Sequence, residues 1–260
     1  MTTTAQHAIG TFCWPELAST DQAGAKTFYA GLFGWTPNDA PMGDGNVYTI
    51  FKKDDRDAAA LYQMGKEQAS MPPHWGSYVA VASADEAAAL ATKLGARVAM
   101  APFDVMESGR MAVIQDPQGG FVAVWQARQH PGIGVVDEPG ALCWTELMTN
   151  DIAAAGKFYS ALFGWTTETK RMGPQPYTVF KRDGRSKAGM IAITREMGPL
   201  PPHWLSYFAV RDTDAMVAKA IMLRGSVVAQ PMDIPDVGRF AVLHDPQGAA
   251  FAILGEARKA

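Results

Sequence analysis

The chain repeats itself. Cys13-Trp14-Pro15-Glu16-Leu17 returns as Cys143-Trp144-Thr145-Glu146-Leu147, and Phe28-Tyr29 with Leu32-Phe33-Gly34-Trp35 returns as Phe158-Tyr159 with Leu162-Phe163-Gly164-Trp165, both at a spacing of 130 residues. Pro72-Pro73-His74-Trp75 then matches Pro201-Pro202-His203-Trp204. Gly109-Arg110 with Asp116-Pro117-Gln118-Gly119 matches Gly238-Arg239 with Asp245-Pro246-Gln247-Gly248, now 129 apart, so one residue has been lost. Similarity at a fixed period over nearly the whole chain is a tandem duplication, and whatever one copy folds into, the other must fold into as well. The Pro/Gly-bearing stretch from His130 to Gly140 is the joint, which places a first domain at 8–128, a linker at 129–138 and a second domain at 139–257.

Within one copy, Thr11 to Ala18 alternates, with Trp14, Glu16 and Ala18 on one side and Cys13, Pro15 and Leu17 on the other, the period of a strand. Pro15 implies an edge strand or one whose pairing is interrupted there. After Ser19-Thr20-Asp21, good N-cap residues, Ala25, Phe28, Tyr29, Leu32 and Phe33 fall at helical spacing and Gly34 closes the helix. Strand-like runs follow at Val47 to Lys52 and Ala58 to Met64. A second round has a strand at Ser77 to Ala82, a helix near Asp85 to Leu94 ended by Gly95, and strands near Arg97 to Val105, Arg110 to Gln115 and Phe121 to Gln126. Gly43-Asp44-Gly45 reads as a turn between helix and strand, and Asp116-Pro117-Gln118-Gly119 as a turn in which aspartate caps its own backbone.

Composition excludes several classes. Lysine and arginine total 23 against 26 acidic residues, with no basic run to track a phosphate backbone, so nucleic acid is not an expected partner. No stretch approaches the roughly 20 apolar residues of a membrane span, and MTTTAQHAIGTFCW lacks the basic start of a secretion signal, so a cytoplasmic protein without membrane partners is expected. Walker loop, dinucleotide glycine fingerprint and Ser/His/Asp constellation are all missing from the sequence. Cys13 and Cys143 occupy equivalent places and read as small buried apolar residues. Trp35, Trp75, Trp165 and Trp204 read as packing residues.

A strand, an aspartate-capped helix carrying Phe-Tyr and ending Leu-Phe-Gly-Trp, then a late strand-DPxG-strand hairpin resembles the paired βαβββ modules of the vicinal oxygen chelate (glyoxalase/bleomycin resistance/dioxygenase) superfamily. The Cys-Trp-x-Glu-Leu opening is similar to that of a tandem two-domain, glyoxalase-like subgroup. The resemblance implies an α+β fold with two tandem glyoxalase/bleomycin-resistance domains, each a pair of βαβββ modules forming a cup-shaped sheet. Metal-using members carry His, Gln or Glu on the first strand of each module, a fixed step before the helix-capping aspartate, and Glu on the last strand after DPxG. Seven residues before Asp21 and Asp151 stand Trp14 and Trp144, and seven before Asp85 and Asp214 stand Tyr78 and Tyr207. Seven after Asp116 and Asp245 stand Ala123 and Ala252. None of these is a usual ligand for a hard divalent ion, so the resemblance implies the fold without its metal, and no cofactor is expected.

A cup lined by Trp14, Tyr78 and Ala123, and by Trp144, Tyr207 and Ala252, would be aromatic and partly emptied by alanine, with a carboxylate from Glu16 or Glu146. It suits a flat or cationic organic ligand. Arg110 and Arg239 are candidates both for lining that pocket and for holding the glutamates as structural carboxylates, while His74 and His203 sit on rigid loops at its rim. Three readings stay open. The first is a metal-independent binding protein for a small molecule, of sequestration or resistance type, acting as monomer or homodimer. The second is a glyoxalase-like lyase or isomerase, or a hydroxylase-type enzyme, with Glu16 and Glu146 as catalytic bases lying unpaired against indole. The third is that one or both cups are filled by their own side chains and the duplicated unit serves assembly or protein contact.

Overall fold

The computed structural model describes residues 7–43, 45–171 and 176–256. The first six residues, Asp44 of the expected turn, and Ala257 at the expected end of the second domain lie outside the described residues.

The first repeat runs β1 (Phe12–Ser19), α1 (Gln22–Phe33), β2 (Thr36–Gly43), β3 (Asn46–Lys53), β4 (Arg56–Gln63), β5 (His74–Ala80), α2 (Ala84–Lys93), β6 (Arg97–Val105), β7 (Gly109–Gln115) and β8 (Phe121–Ala127). The second runs β9 (Leu142–Thr149), α3 (Ile152–Phe163), β10 (Thr166–Arg171), β11 (Pro176–Arg182), β12 (Arg185–Ala192), β13 (His203–Val210), α4 (Thr213–Met222), β14 (Ser226–Ile234), β15 (Gly238–His244) and β16 (Ala250–Glu256). Each repeat forms one eight-stranded mixed sheet, ordered β2-β3-β4-β1-β5-β8-β7-β6 and β10-β11-β12-β9-β13-β16-β15-β14. The fold is therefore α+β, with two βαβββ modules per repeat, as the resemblance implies.

The local reasons are those written in the sequence. Asp21 and Asp151 accept the Gly24 and Ala154 amides at 3.0 and 2.9 Å, satisfying orphan donors at the starts of α1 and α3. Gly34 and Gly164 close both helices at φ 74° and 68°, where a side chain is strained. Asp54 and Asp55, both at positive φ, form the tight turn between β3 and β4, the primed geometry that matches strand twist.

Three expectations are corrected. β1 is internal to its sheet, so of the two readings of Pro15 the edge strand is the one that is wrong, while the ladder with β4 does begin only after the proline, at Glu16. The β9 ladder begins at Glu146, just after Thr145, so the register tolerates the proline and is not caused by it. α2 and α4 are capped by Ser83 and Asp212, not by Asp85 and Asp214, which sit inside the first turn. Finally, the turn at Gly43 joins two strands: β2, with Pro37 and Pro41 and every residue exposed, has no apolar alternation to reveal it. It is a polar edge strand.

Residue contacts divide the chain into two compact units that do not coincide with the repeats. Unit 1 combines the residues up to Trp14, Ser77–Gly132 and Trp144–Leu205; unit 2 combines Pro15–Gly76, Ile133–Cys143 and the residues from Ser206 onward. Each unit thus takes one module from each repeat. In unit 1, Phe12, Ile114 and Val124 pack with Leu147, Phe158 and Phe180, all buried, where each such side chain contributes roughly 1.5–3 kcal/mol. In unit 2, Phe28 and Tyr29 pack on Phe251, and Phe33 on Phe208. The stretch expected as a linker is divided, residues 129–132 belonging to unit 1 and 133–138 to unit 2, where Ile133 and Val135 are buried, Gly134 donates to Asp57, and Arg56 makes a two-pronged pair with Glu138 at 2.9 and 2.8 Å.

One polar chain runs through each core. In unit 2 the Trp75 indole donates to the Tyr29 hydroxyl at 3.0 Å, and Tyr29 donates to Asp245 Oδ2 at 3.0 Å. Asp245 Oδ1 accepts the Gln247 and Ala249 amides. Unit 1 repeats it with Trp204, Tyr159 and Asp116, the latter two 2.7 Å apart. The aspartates expected as turn residues are indeed that, and their second oxygen also satisfies a fully buried phenol from the other repeat. Among the described residues no helix is long and apolar enough to cross a membrane.

Tyr29→Phe and Tyr159→Phe each strand a buried carboxylate oxygen and an indole N–H. Each is expected to lower unfolding free energy by about 1–3 kcal/mol in chemical denaturation. A change within error would mean that the chain is not under load.

Candidate functional site

Strand alternation separates two faces of each module. Leu17, Phe51 and Leu61 are fully buried on the side of α1, so Glu16, Tyr48, Ala60 and Tyr62, their strand neighbours, occupy the other face. There the Tyr48 hydroxyl donates to Glu16 Oε1 at 2.6 Å. In register, Glu16 lies opposite Ala60 and Tyr48 opposite Tyr62. Gln68 donates to the Tyr62 hydroxyl at 2.9 Å. The Tyr62 phenol is held above its usual range by burial, with the Glu16 charge adding to that and the Gln68 bond opposing it. Glu16 itself is half-buried.

The second repeat builds a related group from Trp144, Glu146 and Tyr177. Trp144 Nε1 donates to the Tyr177 hydroxyl at 2.8 Å, and Tyr177 is hydrogen-bonded to Glu146. Burial, then the Glu146 charge, pushes the Tyr177 phenol well up. Glu146 is buried, 6% exposed.

The expectation that the glutamates lie unpaired against indole therefore gives way: each has a phenol for a partner, because a strand-neighbouring tyrosine reaches it. Arg110 and Arg239 are not where the sequence suggested either. Arg110 grips Asp85 through Nε and Nη2 at 2.7 and 2.9 Å and Asp104 through Nη1 at 3.0 Å, while Arg239 does the same with Asp214 and Asp233. These clusters clamp the first turn of α2 or α4 to the following hairpin, and Arg110 holds Asp85 and Asp104 below the usual carboxylate range. They are surface fastenings and not pocket walls.

Tyr78 and Ala123 are register partners, as are Tyr207 and Ala252, so these expected pairs are brought side by side. Tyr78 is buried with its hydroxyl on Met111 Sδ, and Tyr207 packs against Phe240. Trp14 stands edge-on to His130, ring centroids 4.5 Å apart. His74 and His203 begin β5 and β13, each with Nδ1 near the carbonyl of Pro72 or Pro201 at 2.9 and 2.8 Å, a local turn fastening, and burial lowers His203. Cys13 and Cys143 are unpaired in any disulfide and point at the Tyr78 and Tyr207 carbonyls. A cleft of about 300 Å³ beside the Asp116 turn is lined by Leu94, Pro117 and Phe158, but its carboxylate is already engaged by Tyr159 and backbone amides.

Sequence reasoning missed Tyr48, Tyr177, Tyr62 and Gln68. Tyr48 and Tyr177 recur at the 129-residue spacing in front of Thr49 and Thr178, a signal that was available. Among the described residues no group of three or more His, Cys, Asp or Glu could hold a metal ion. The residues present do not fit the divalent site that the resemblance would bring, because its positions carry indole, phenol and methyl groups.

Comparison with known proteins decides the family. The glyoxalase/bleomycin resistance protein/dioxygenase superfamily matches residues 8–124, and a glyoxalase-like domain matches residues 144–254. The chain belongs to the glyoxalase/bleomycin resistance/dioxygenase superfamily. A protein of Mycobacterium bovis named "Putative glyoxylase CFP32" is 42% identical over 253 residues, covering 96% of each chain. The anthracycline biosynthesis protein DauV of a Streptomyces species is 38% identical over 263 residues, covering 95% of this chain and 94% of that one. The fold resembles the Mn(II)-bound glyoxalase of Novosphingobium aromaticivorans, with a TM-score of 0.65 at 16% identity over 96% of this chain and 83% of that one.

Burial pushes both thiols of this glyoxalase-like chain up to about 12. At pH 8 the thiolate fraction is then on the order of one in ten thousand. Neither cysteine is expected to react with a thiol-exchange reagent until denaturant is added, whereas rapid reaction of the native protein would contradict this placement.

Proposed function

We propose that this glyoxalase-like chain binds a small, flat organic molecule without a metal, using a carboxylate–phenol pair where metal-dependent members use a cation. The observation that carries the reading is the 2.6 Å bond from Tyr48 to Glu16 on the sheet face turned away from α1. A carboxylate can accept several hydrogen bonds, so one that takes a phenolic O–H can also take a hydroxyl or cationic group of a ligand. The phenol rings of Tyr48 and Tyr62 offer faces for stacking. The ligand class we assign is a polycyclic aromatic bearing hydroxyl or amine donors, a choice supported by the relatives named for anthracycline biosynthesis.

The test is titration of the protein with an anthracycline, followed by the ligand's own fluorescence. Saturable binding is expected, weakened about tenfold or more by Glu16→Gln, since a hydrogen bond to a charged group contributes roughly 1.5–3 kcal/mol. Absence of binding, or an unchanged Kd in the variant, would overturn the reading.

A second reading is a glyoxalase-like lyase or isomerase with Glu16 as proton acceptor, and what favours it is the name of the 42% identical mycobacterial relative. It differs in one outcome: Glu16→Gln would then abolish turnover while leaving binding nearly intact.

A further inference from the structure

We infer that the two repeats have diverged into an open and a closed site, with Gly189 as the position that closes the second. The inference deepens the proposed function and rests on its reading of the glutamates as ligand anchors.

The strand registers identify equivalent positions without ambiguity: Glu16 lies opposite Ala60, and Glu146 lies opposite Gly189. Ala60 is fully buried, so its methyl occupies space on the first module. A methyl added at Gly189 would land on the Tyr177 hydroxyl and stand 2.8 Å from Trp144 Nε1, closer than real side chains approach. The indole–phenol bond of the second repeat thus passes through the place that a methyl holds in the first. Glycine leaves room for Trp144 to donate to Tyr177 while Tyr177 is bonded to Glu146, so a donor chain ends on that carboxylate.

The surroundings diverge in the same direction. Next to Glu16 the strand carries Tyr62, bonded to Gln68. The positions that correspond in register and repeat are Ile191 and Met197, which offer no hydrogen bond donor. The first site has a further phenol and amide beside a partly exposed glutamate; the second has apolar side chains at those positions and a glutamate that is 6% exposed. A donor-bearing ligand is therefore expected to engage Glu16 in preference to Glu146.

The experiment needs no ligand. The full chain is treated with a water-soluble carbodiimide and glycinamide, and amidation of Glu16 and Glu146 is followed by peptide mass spectrometry. Glu146 is expected to react about tenfold or more slowly than Glu16 in the native protein, as a group protected by local structure does. Gly189→Ala is expected to bring Glu146 up towards the Glu16 rate, because the methyl displaces Tyr177. If that variant does not fold, Tyr177→Phe takes its place with the same expected release. Equal rates in the native chain, or a folded variant in which Glu146 stays protected, would overturn the inference. Should Glu16 label fast and Glu146 slowly while no anthracycline binds, the proposed function fails and the inequivalence of the two sites stands.

Discussion

A buried tyrosine that needs a hydrogen bond acceptor is the constraint on which the rest of this structure depends. Tyr29 and Tyr159 are fully enclosed, and each finds its acceptor in the DPQG turn of the other repeat, Asp245 for one and Asp116 for the other. The same hydroxyls take an indole N–H from Trp75 or Trp204. Leaving either end unpaired in a core costs more than the bond contributes when made, so the chain favours assembling modules across the duplication. Burial and the nearby carboxylate hold both phenols well above their usual range, which keeps them as donors. Asp245 is itself raised by burial, a cost that its backbone amides and Tyr29 offset. The compact units follow from this: each combines one module of each repeat.

With the helices committed to these cores, the opposite face of each sheet is the one on which we place the proposed function. There the chain holds carboxylate–phenol pairs, while the positions that the resemblance assigns to metal ligands carry Trp14, Tyr78 and Ala123 and their counterparts. A carboxylate with a fixed donor holds a single negative charge in place, which suits recognition of a hydroxyl or a cation more than polarisation of a carbonyl. Arg110 and Arg239 do not neutralise it; they are engaged elsewhere, closing α2 and α4 onto their hairpins.

Much of the fold was legible in the sequence because it is written locally and twice. The caps at Asp21 and Asp151, the closing glycines, the apolar spacing of Phe28, Tyr29 and Leu32, and the DPQG turns each carry their own physical signature. What escaped notice depends on partners distant in sequence or on weak patterns. β2 is wholly exposed and proline-bearing, so periodicity could not show it. Arg110 looked like a partner for Glu16 because both recur in each repeat, yet the carboxylates nearest to it in the hairpin and helix, Asp104 and Asp85, are the ones it meets. The Tyr48–Glu16 bond spans 32 residues and needs the β3–β4–β1 order to be known, which the repeat alone does not supply. Gly189 is informative only once the register places it against Glu146.

The most direct test of the central claim, that this member of a metal-using superfamily keeps the fold with a carboxylate–phenol pair in place of the cation, is elemental analysis of the purified chain after dialysis. It is paired with melting temperatures measured in Mn(II), Ni(II) and Zn(II). Far less than one equivalent of any divalent metal and no upward shift are expected, since a ligand held by the native state alone must stabilise it, by about 2.7 kcal/mol at a hundredfold excess over Kd. One tightly held ion per domain, with a melting temperature that rises on adding it, would mean that the chain keeps a metal site after all.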